Sequence, residues 1–134
     1  MIKLEIVTPE KKVFDETVDS VTVPTATGEV GILPNHAPLI AALRSGILVY
    51  SNRGTSEKMV VSGGFVEVSA NRVSVLTDVA ERADEIDVEA ARTELGEAQK
   101  LLGGTFSGSE EEFAAENERL ERAQARLALS AGGR

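Results

Sequence analysis

The sequence predicts an α+β chain. An N-terminal antiparallel β-sandwich over residues 1–84 is followed by a two-helix antiparallel hairpin over residues 85–134. Three observations carry this. Apolar residues recur at every second position up to about residue 83. From Asp84 onward they recur at steps of three and four. Turn-forming residues separate the strand-like runs: Thr8-Pro9, Pro24, Asn35, Ser45-Gly46, Asn52-Arg53-Gly54, Gly63-Gly64 and Asn71.

The first strand is set by Ile2, Leu4 and Ile6, which alternate with Lys3, Glu5 and Val7. The pairs Val21/Val23, Ile47/Val49 and Val73/Val75 keep the same period of two. "SNRGTSEK", from Ser51 to Lys58, predicts a hairpin connection, because Asn and Gly accept positive φ. Several short strands with regular turns fit a sandwich or a barrel. With four Phe, one Tyr and no Trp, the core must be filled mainly by Val, Ile and Leu, which suits two sheets packed face to face. Gly63-Gly64 stands between two strand patterns. A phosphate-cradling loop would need a helix after the glycines, so a tight turn or bulge is predicted instead.

In the second half, Val88, Ala91, Leu95, Ala98 and Leu102 form one helical stripe. Asp87 is placed to cap its start and Gly103-Gly104 to end it. Gly96 inside this helix costs roughly 1 kcal/mol relative to alanine. Ser109 with Glu112 predicts a capping box. Phe113, Leu120, Ala123 and Leu127 then mark a second helix to about Ser130. The stripes are mainly alanine and leucine, so their burial yields a few kcal/mol at about 25 cal/mol per Å² before entropy is counted. The hairpin is therefore expected to dock weakly on the sandwich, or to move.

Composition narrows the function. A net charge of −8 argues against a general nucleic-acid or anionic-membrane binder, both of which need cationic surface. There is no cysteine, and no run of about 20 apolar residues to span a bilayer. The opening Met-Ile-Lys-Leu-Glu-Ile lacks the apolar block of a signal peptide. The expectation is a soluble, intracellular protein that reaches any membrane through a partner. The only histidine, His36, lies in "GEVGILPNHAPLI". A triad would need a nucleophile and an orienting acid, and a metal site would need further ligands. Pro34 and Pro38 around it are turn chemistry, so a structural or interface role is predicted, with no catalytic residue, metal or cofactor.

The last helix carries Glu110, Glu111, Glu112 and Glu116 near its start and Arg119, Arg122 and Arg126 on one later face. These charges complement the helix dipole at roughly 0.3–1 kcal/mol each, and Glu118 can pair with Arg122 at i,i+4. Alternatively the arginine row is a surface for an acidic partner. The whole pattern favours a binding or regulatory module over an enzyme.

Four stretches resemble the epsilon subunit of F-type ATP synthases, called delta in mitochondria. They are "VTPEKKVFDETVDSVTVPTATGEVGILPNHAPLI", "GILVY", "VVSGGFVEVSANRVSVLTDVAERADEID" and "RAQARLALSAGG". The resemblance implies a ten-stranded sandwich followed by two helices. It implies a non-catalytic rotor subunit of the central stalk, bound to gamma and resting on the c ring, that couples ion flow to ATP synthesis. It also implies a hairpin that can extend along gamma toward the alpha/beta catalytic head and restrain ATP hydrolysis. The location it implies is peripheral, at the cytoplasmic face of the inner (plasma) membrane or an equivalent energy-transducing membrane.

By the same resemblance Gly28, Glu29, Val30 and Gly31 form a loop facing the c ring, and His36 lies near gamma and the ring. Arg119, Arg122 and Arg126 match the helix that meets an acidic segment of beta when extended. Some members bind ATP through Ile-Asp-x-x-Arg-Ala. This chain has Ile86-Asp87-Val88-Glu89-Ala90-Ala91, with alanine in place of the arginine. Arg92 follows two residues later, about 200° further round the helix. Tight ATP binding is therefore expected to be lost, which counts against the alternative of an ATP-sensing regulatory module.

Overall fold

The computed structural model describes residues 1–132. Its strands are β1 (Ile2–Val7), β2 (Lys12–Val18), β3 (Ser20–Thr25), β4 (Gly28–Ile32), β5 (Leu39–Ala42), β6 (Gly46–Asn52), β7 (Thr55–Ser62), β8 (Phe65–Ser69), β9 (Arg72–Leu76) and β10 (Val79–Glu81). A 3-10 turn at Ala83–Glu85 leads into α1 (Val88–Leu102) and α2 (Glu110–Gly132). The first sheet has the order β2-β1-β9-β8-β5 and the second β10-β7-β6-β3-β4. The chain is thus a ten-stranded sandwich followed by a helical hairpin.

The strand ladders among the described residues are antiparallel except one, β1 against β9, which is parallel. No short turn joins these two strands, so nothing local fixes their relative direction, and alternation of side chains cannot reveal it. Ile2, Leu4 and Ile6 of β1 and Val73 and Val75 of β9 all reach the core and are at most 1% exposed.

Burial in β6 falls on the residues that alternate with the predicted pair. Leu48 and Tyr50 enter the core, while Ile47 and Val49 lie on the opposite face and are half-buried. Strand β7 shows no alternation: Met59, Val60, Val61 and Ser62 are all 0–1% exposed. Met59 and Val61 pack into the sandwich. Val60 points the other way and packs against Ala125 and Leu129 of α2.

Turn chemistry follows the sequence with one shift. In the β6–β7 hairpin Asn52 pairs with Thr55. Arg53 (φ 53°) and Gly54 (φ 79°), rather than Asn52, take the left-handed conformation that a two-residue hairpin turn requires. Gly63 and Gly64 carry the chain from the second sheet to the first at φ 75° and 86°. A Cβ on Gly64 would sit 1.8 Å from the Leu76 carbonyl oxygen.

The helix caps form as predicted. Asp87 Oδ1 accepts from the Ala90 N–H at 3.0 Å. The Glu112 N–H donates to Ser109 Oγ at 3.1 Å, and the Ser109 N–H donates to Glu112 Oε1 at 3.0 Å. Ala91 and Ala98 of α1 and Ala123 of α2 are at most 1% exposed. Leu95 and Leu102 are half-buried, and Phe113 is 46% exposed.

The two turn glycines should separate in a denaturation experiment. Gly64→Ala adds a backbone clash to the left-handed cost and should destabilise the chain by about 3 kcal/mol or more. Gly54→Ala meets nothing within 4 Å and should cost only about 1–2 kcal/mol. Urea midpoints of the two variants check this order.

Candidate functional site

Three regions bear on function: the "GEVGILPNHAPLI" stretch, the crevice between hairpin and sandwich, and the uncovered face of the first sheet.

Gly28–Gly31, expected as a loop, instead forms most of β4, an edge strand of the second sheet. The actual turn is Ala26-Thr27, closed by Thr25 Oγ1 donating to the Gly28 carbonyl at 2.6 Å. Register pairs Pro24 with Glu29 and Val23 with Val30. The strand forms because Val30 and Ile32 turn toward the core, while Glu29 and Gly31 stay exposed. Gly28 has φ 125°, a value L side chains rarely adopt. Glu29 lines a small crevice of about 250 Å³ with Arg44, Glu121 and Gln124.

His36 lies past the other end of β4, so the strand separates it from Glu29. The segment 33–38 crosses from the second sheet to the first. The His36 N–H donates to the Leu33 carbonyl at 3.2 Å, and Nδ1 donates to the Ala37 carbonyl at 2.6 Å. Asn35, at φ 68°, donates its N–H to Asn71 Oδ1 at 2.6 Å, and Asn71 Nδ2 returns a bond to Asn35 Oδ1 at 3.4 Å. The ring thus serves the turn, and the turn is tied to the β8–β9 hairpin. Among the described residues no three metal-ligating side chains converge.

The arginine row occupies the line where α1, α2 and β10 meet. At about 100° per residue, Glu118, Glu121, Ala125 and Leu129 share the face of α2 turned to the sandwich. The arginines follow at about 60–120° from Ala125, and Leu120, Ala123 and Leu127 lie opposite it. Arg126 donates from Nε and Nη2 to Glu81 of β10 at 2.7 and 3.2 Å, and from Nη1 to Glu94 of α1 at 3.0 Å. Arg119 bonds Glu94 at 3.3 Å, Glu116 at 2.9 Å, and Glu97. Arg122 meets Glu94 at 3.7 Å. The expected Arg122–Glu118 pairing gives way, since Glu118 instead accepts from Ser62 Oγ at 3.3 Å. That hydroxyl also contacts Ser45 Oγ at 2.7 Å.

Only 17–26% of each arginine side chain is exposed. The bonds to Glu97, Glu116 and Glu94 raise the Arg119 guanidinium pKa above its ordinary value, despite some desolvation. Nearby, Arg44 donates from Nε to Glu121 at 2.8 Å, which raises the Arg44 pKa in the same way.

The residues of the degenerate ATP motif are otherwise engaged. Ile86 packs against the cluster around Val60 and Leu129. Asp87 caps α1, and Ala91 is buried. Arg92 is exposed and bonds Glu89 on its own helix at 2.6 Å.

Among the described residues no helix covers the outer face of the first sheet. Register aligns Ala42, Phe65, Leu76 and Val7 in one apolar row across it. Phe65 is 44% and Leu76 38% exposed, and Ile40 nearby is 70% exposed.

Residues 1–83, the whole of the ten-stranded part, match the family model described as the ATP synthase delta/epsilon chain β-sandwich domain. The chain belongs to this family. An ATP synthase epsilon chain of Carboxydothermus hydrogenoformans is 54% identical over 101 residues, covering 75% of each chain. One from Geotalea uraniireducens is 42% identical over 130 residues, covering 97% of this chain and 94% of its own. Among solved structures, a chain of the Euglena gracilis mitochondrial ATP synthase (OSCP/F1/c-ring) superposes with a TM-score of 0.78 at 27% identity. That match covers 99% of this chain and 81% of the other. A chain of the Tetrahymena thermophila ATP synthase central stalk and c-ring shares the fold, with a TM-score of 0.63 at 16% identity.

Sequence reasoning missed the acidic side of the crevice. Glu94 and Glu97 sit one helical turn apart on α1, and an antiparallel helix bearing arginines at the same spacing is their natural counterpart. That complementarity was the available signal. Glu81 and Arg44 gave none, because only the tertiary fold brings them to α2.

Removing the side chain of Asn71 leaves Asn35 without its cross-loop partner. Asn71→Ala should speed amide hydrogen exchange at residues 33–36 several-fold while β6 and β7 keep their protection. Exchange mass spectrometry on the full chain checks this.

Proposed function

We propose that this chain is a non-catalytic rotor subunit of the ATP synthase central stalk, whose sandwich transmits rotation and whose hairpin can restrain ATP hydrolysis. One observation carries the reading. The two faces of the sandwich are finished differently: one is covered by a hairpin held through a small contact, the other exposes an apolar row.

The exposed row, Ile40, Phe65 and Leu76 foremost, suits a permanent partner, which in this family is gamma. Gly28, Glu29, Val30 and Gly31 form the edge offered to the c ring, and the turn at His36 holds the adjoining segment near gamma. The covered face suits a detachable element. Its apolar contact is Val60 with Ala125 and Leu129, flanked by Ile47, Ala83 and Ile86, too little to hold a helix irreversibly. Released, α2 would offer Arg119, Arg122 and Arg126 to an acidic surface of the alpha/beta head.

No helix among the described residues is long and apolar enough to cross a membrane. In this reading the chain reaches the membrane through the complex, on the cytoplasmic face or its equivalent. A nucleotide-sensing role is disfavoured, because α1 brings glutamates rather than a free arginine to the row.

Truncation after Asp84 tests the reading. The shortened chain should still assemble with gamma, and ATP hydrolysis by the assembled enzyme should rise several-fold. Unchanged hydrolysis would remove the brake. Phe65→Asp in the full chain should prevent co-purification with gamma; retention would move the gamma surface elsewhere. Titration calorimetry on the isolated full chain should show no ATP binding in the micromolar range, and a micromolar affinity would revive the sensing alternative.

A further inference from the structure

We propose that Glu94 is the latch of the hairpin. Together with Glu97 it occupies the arginine row while α2 is docked, so that α2 leaves the sandwich more readily when another acidic surface takes the place of these two carboxylates.

The geometry singles out this residue. Glu94 Oε2 faces Arg119 Nε at 3.3 Å and Arg122 Nη2 at 3.7 Å, while Oε1 accepts from Arg126 Nη1 at 3.0 Å. A single carboxylate from α1 thus serves all three arginines. Arg126 extends the connection, since its other donors hold Glu81 on β10. Closure of the hairpin and its docking on the sandwich are therefore linked through one guanidinium. Breaking the Glu94 contacts loosens both.

Carboxylates outnumber the arginines here, so the row is compensated without any ligand. Arg119, Arg122 and Arg126 face Glu81, Glu94, Glu97 and Glu116. If α2 leaves alone, Glu116 travels with it, but Glu81, Glu94 and Glu97 stay behind. The row then exchanges these three carboxylates for water, and an outside carboxylate restores the charge-assisted bonds that water replaces less well. An acidic acceptor thereby favours extension. Two further polar ties of α2 to the sandwich, Arg44–Glu121 and Ser62–Glu118, involve none of these groups.

The latch rests on the reading that α2 detaches, and two readouts keep the two ideas separable. The first is hydrogen exchange in the isolated full chain. Glu94→Gln should accelerate exchange across residues 113–129 about fivefold, with the sandwich unaffected. Glu89→Gln removes an exposed pair internal to α1 and should leave α2 unchanged. Arg126→Gln, read by exchange alone, should act in the same direction as Glu94→Gln. The second readout is hydrolysis by the assembled enzyme, which should fall further with Glu94→Gln as more hairpins extend. Unchanged α2 protection in Glu94→Gln, or equal acceleration by Glu89→Gln, overturns the latch. Faster exchange with unaltered hydrolysis supports the latch and removes the brake.

Discussion

Strand β7 is apolar on both faces, and the arrangement of the chain depends on this. A sandwich covers one face of each sheet. The outer face at Val60 and Ile47 needs another cover, and α2 supplies it with Ala125 and Leu129. Full burial of Val60 and Leu129 contributes about 1.5–3 kcal/mol each. Ordering the long helix offsets much of this. The hairpin is consequently attached, but not welded, to a sandwich with a complete core of its own.

Such an attachment leaves its geometry to polar contacts. Individual ion pairs at this exposure contribute about 0–1 kcal/mol. A shared carboxylate is different, because Glu94, Arg119, Arg122 and Arg126 rise or fall together. Charge pairs also differ from apolar contacts in being exchangeable: a guanidinium that leaves one carboxylate can be satisfied by another. An apolar cover would resist release regardless of what was offered outside. A charged one responds to the acidity of the alternative. The first sheet shows the opposite design, with an apolar row and no competing internal cover.

Much of the fold was legible in the sequence because it is written in local terms. The period of two marked the strands, Asp87 and Ser109 marked the helix starts, and Gly63-Gly64 marked a turn between sheets. What escaped was relational. The parallel β1–β9 ladder leaves no trace in alternation. Nor does the identity of the inner face in β6, since Ile47 and Leu48 are equally apolar and only the helix above decides which is which. In the candidate site, the arginine row was visible as a helical face, but its occupation by Glu94 and Glu81 depends on two tertiary contacts. The family resemblance implied a loop around Glu29, yet pairing with β3 satisfies these backbone groups better than a loop would.

Strand pairing fixes the surroundings of Glu29. On a loop its position would be loosely defined. On β4 it is fixed opposite Pro24 by strand register. It also shares a crevice with Arg44, Glu121 and Gln124. In the docked arrangement Arg44 is engaged by Glu121 of α2. With α2 detached as proposed, Glu121 and Gln124 would leave that crevice to Arg44 and Glu29. The field at the edge strand would then change although no residue of β4 had to move. His36 is outside this circuit, since it lies beyond the other end of the strand with its ring committed to the Ala37 carbonyl. The two most conspicuous residues of one short stretch thus belong to different parts of the fold, Glu29 to the face that the hairpin covers and His36 to the turn that joins the sheets.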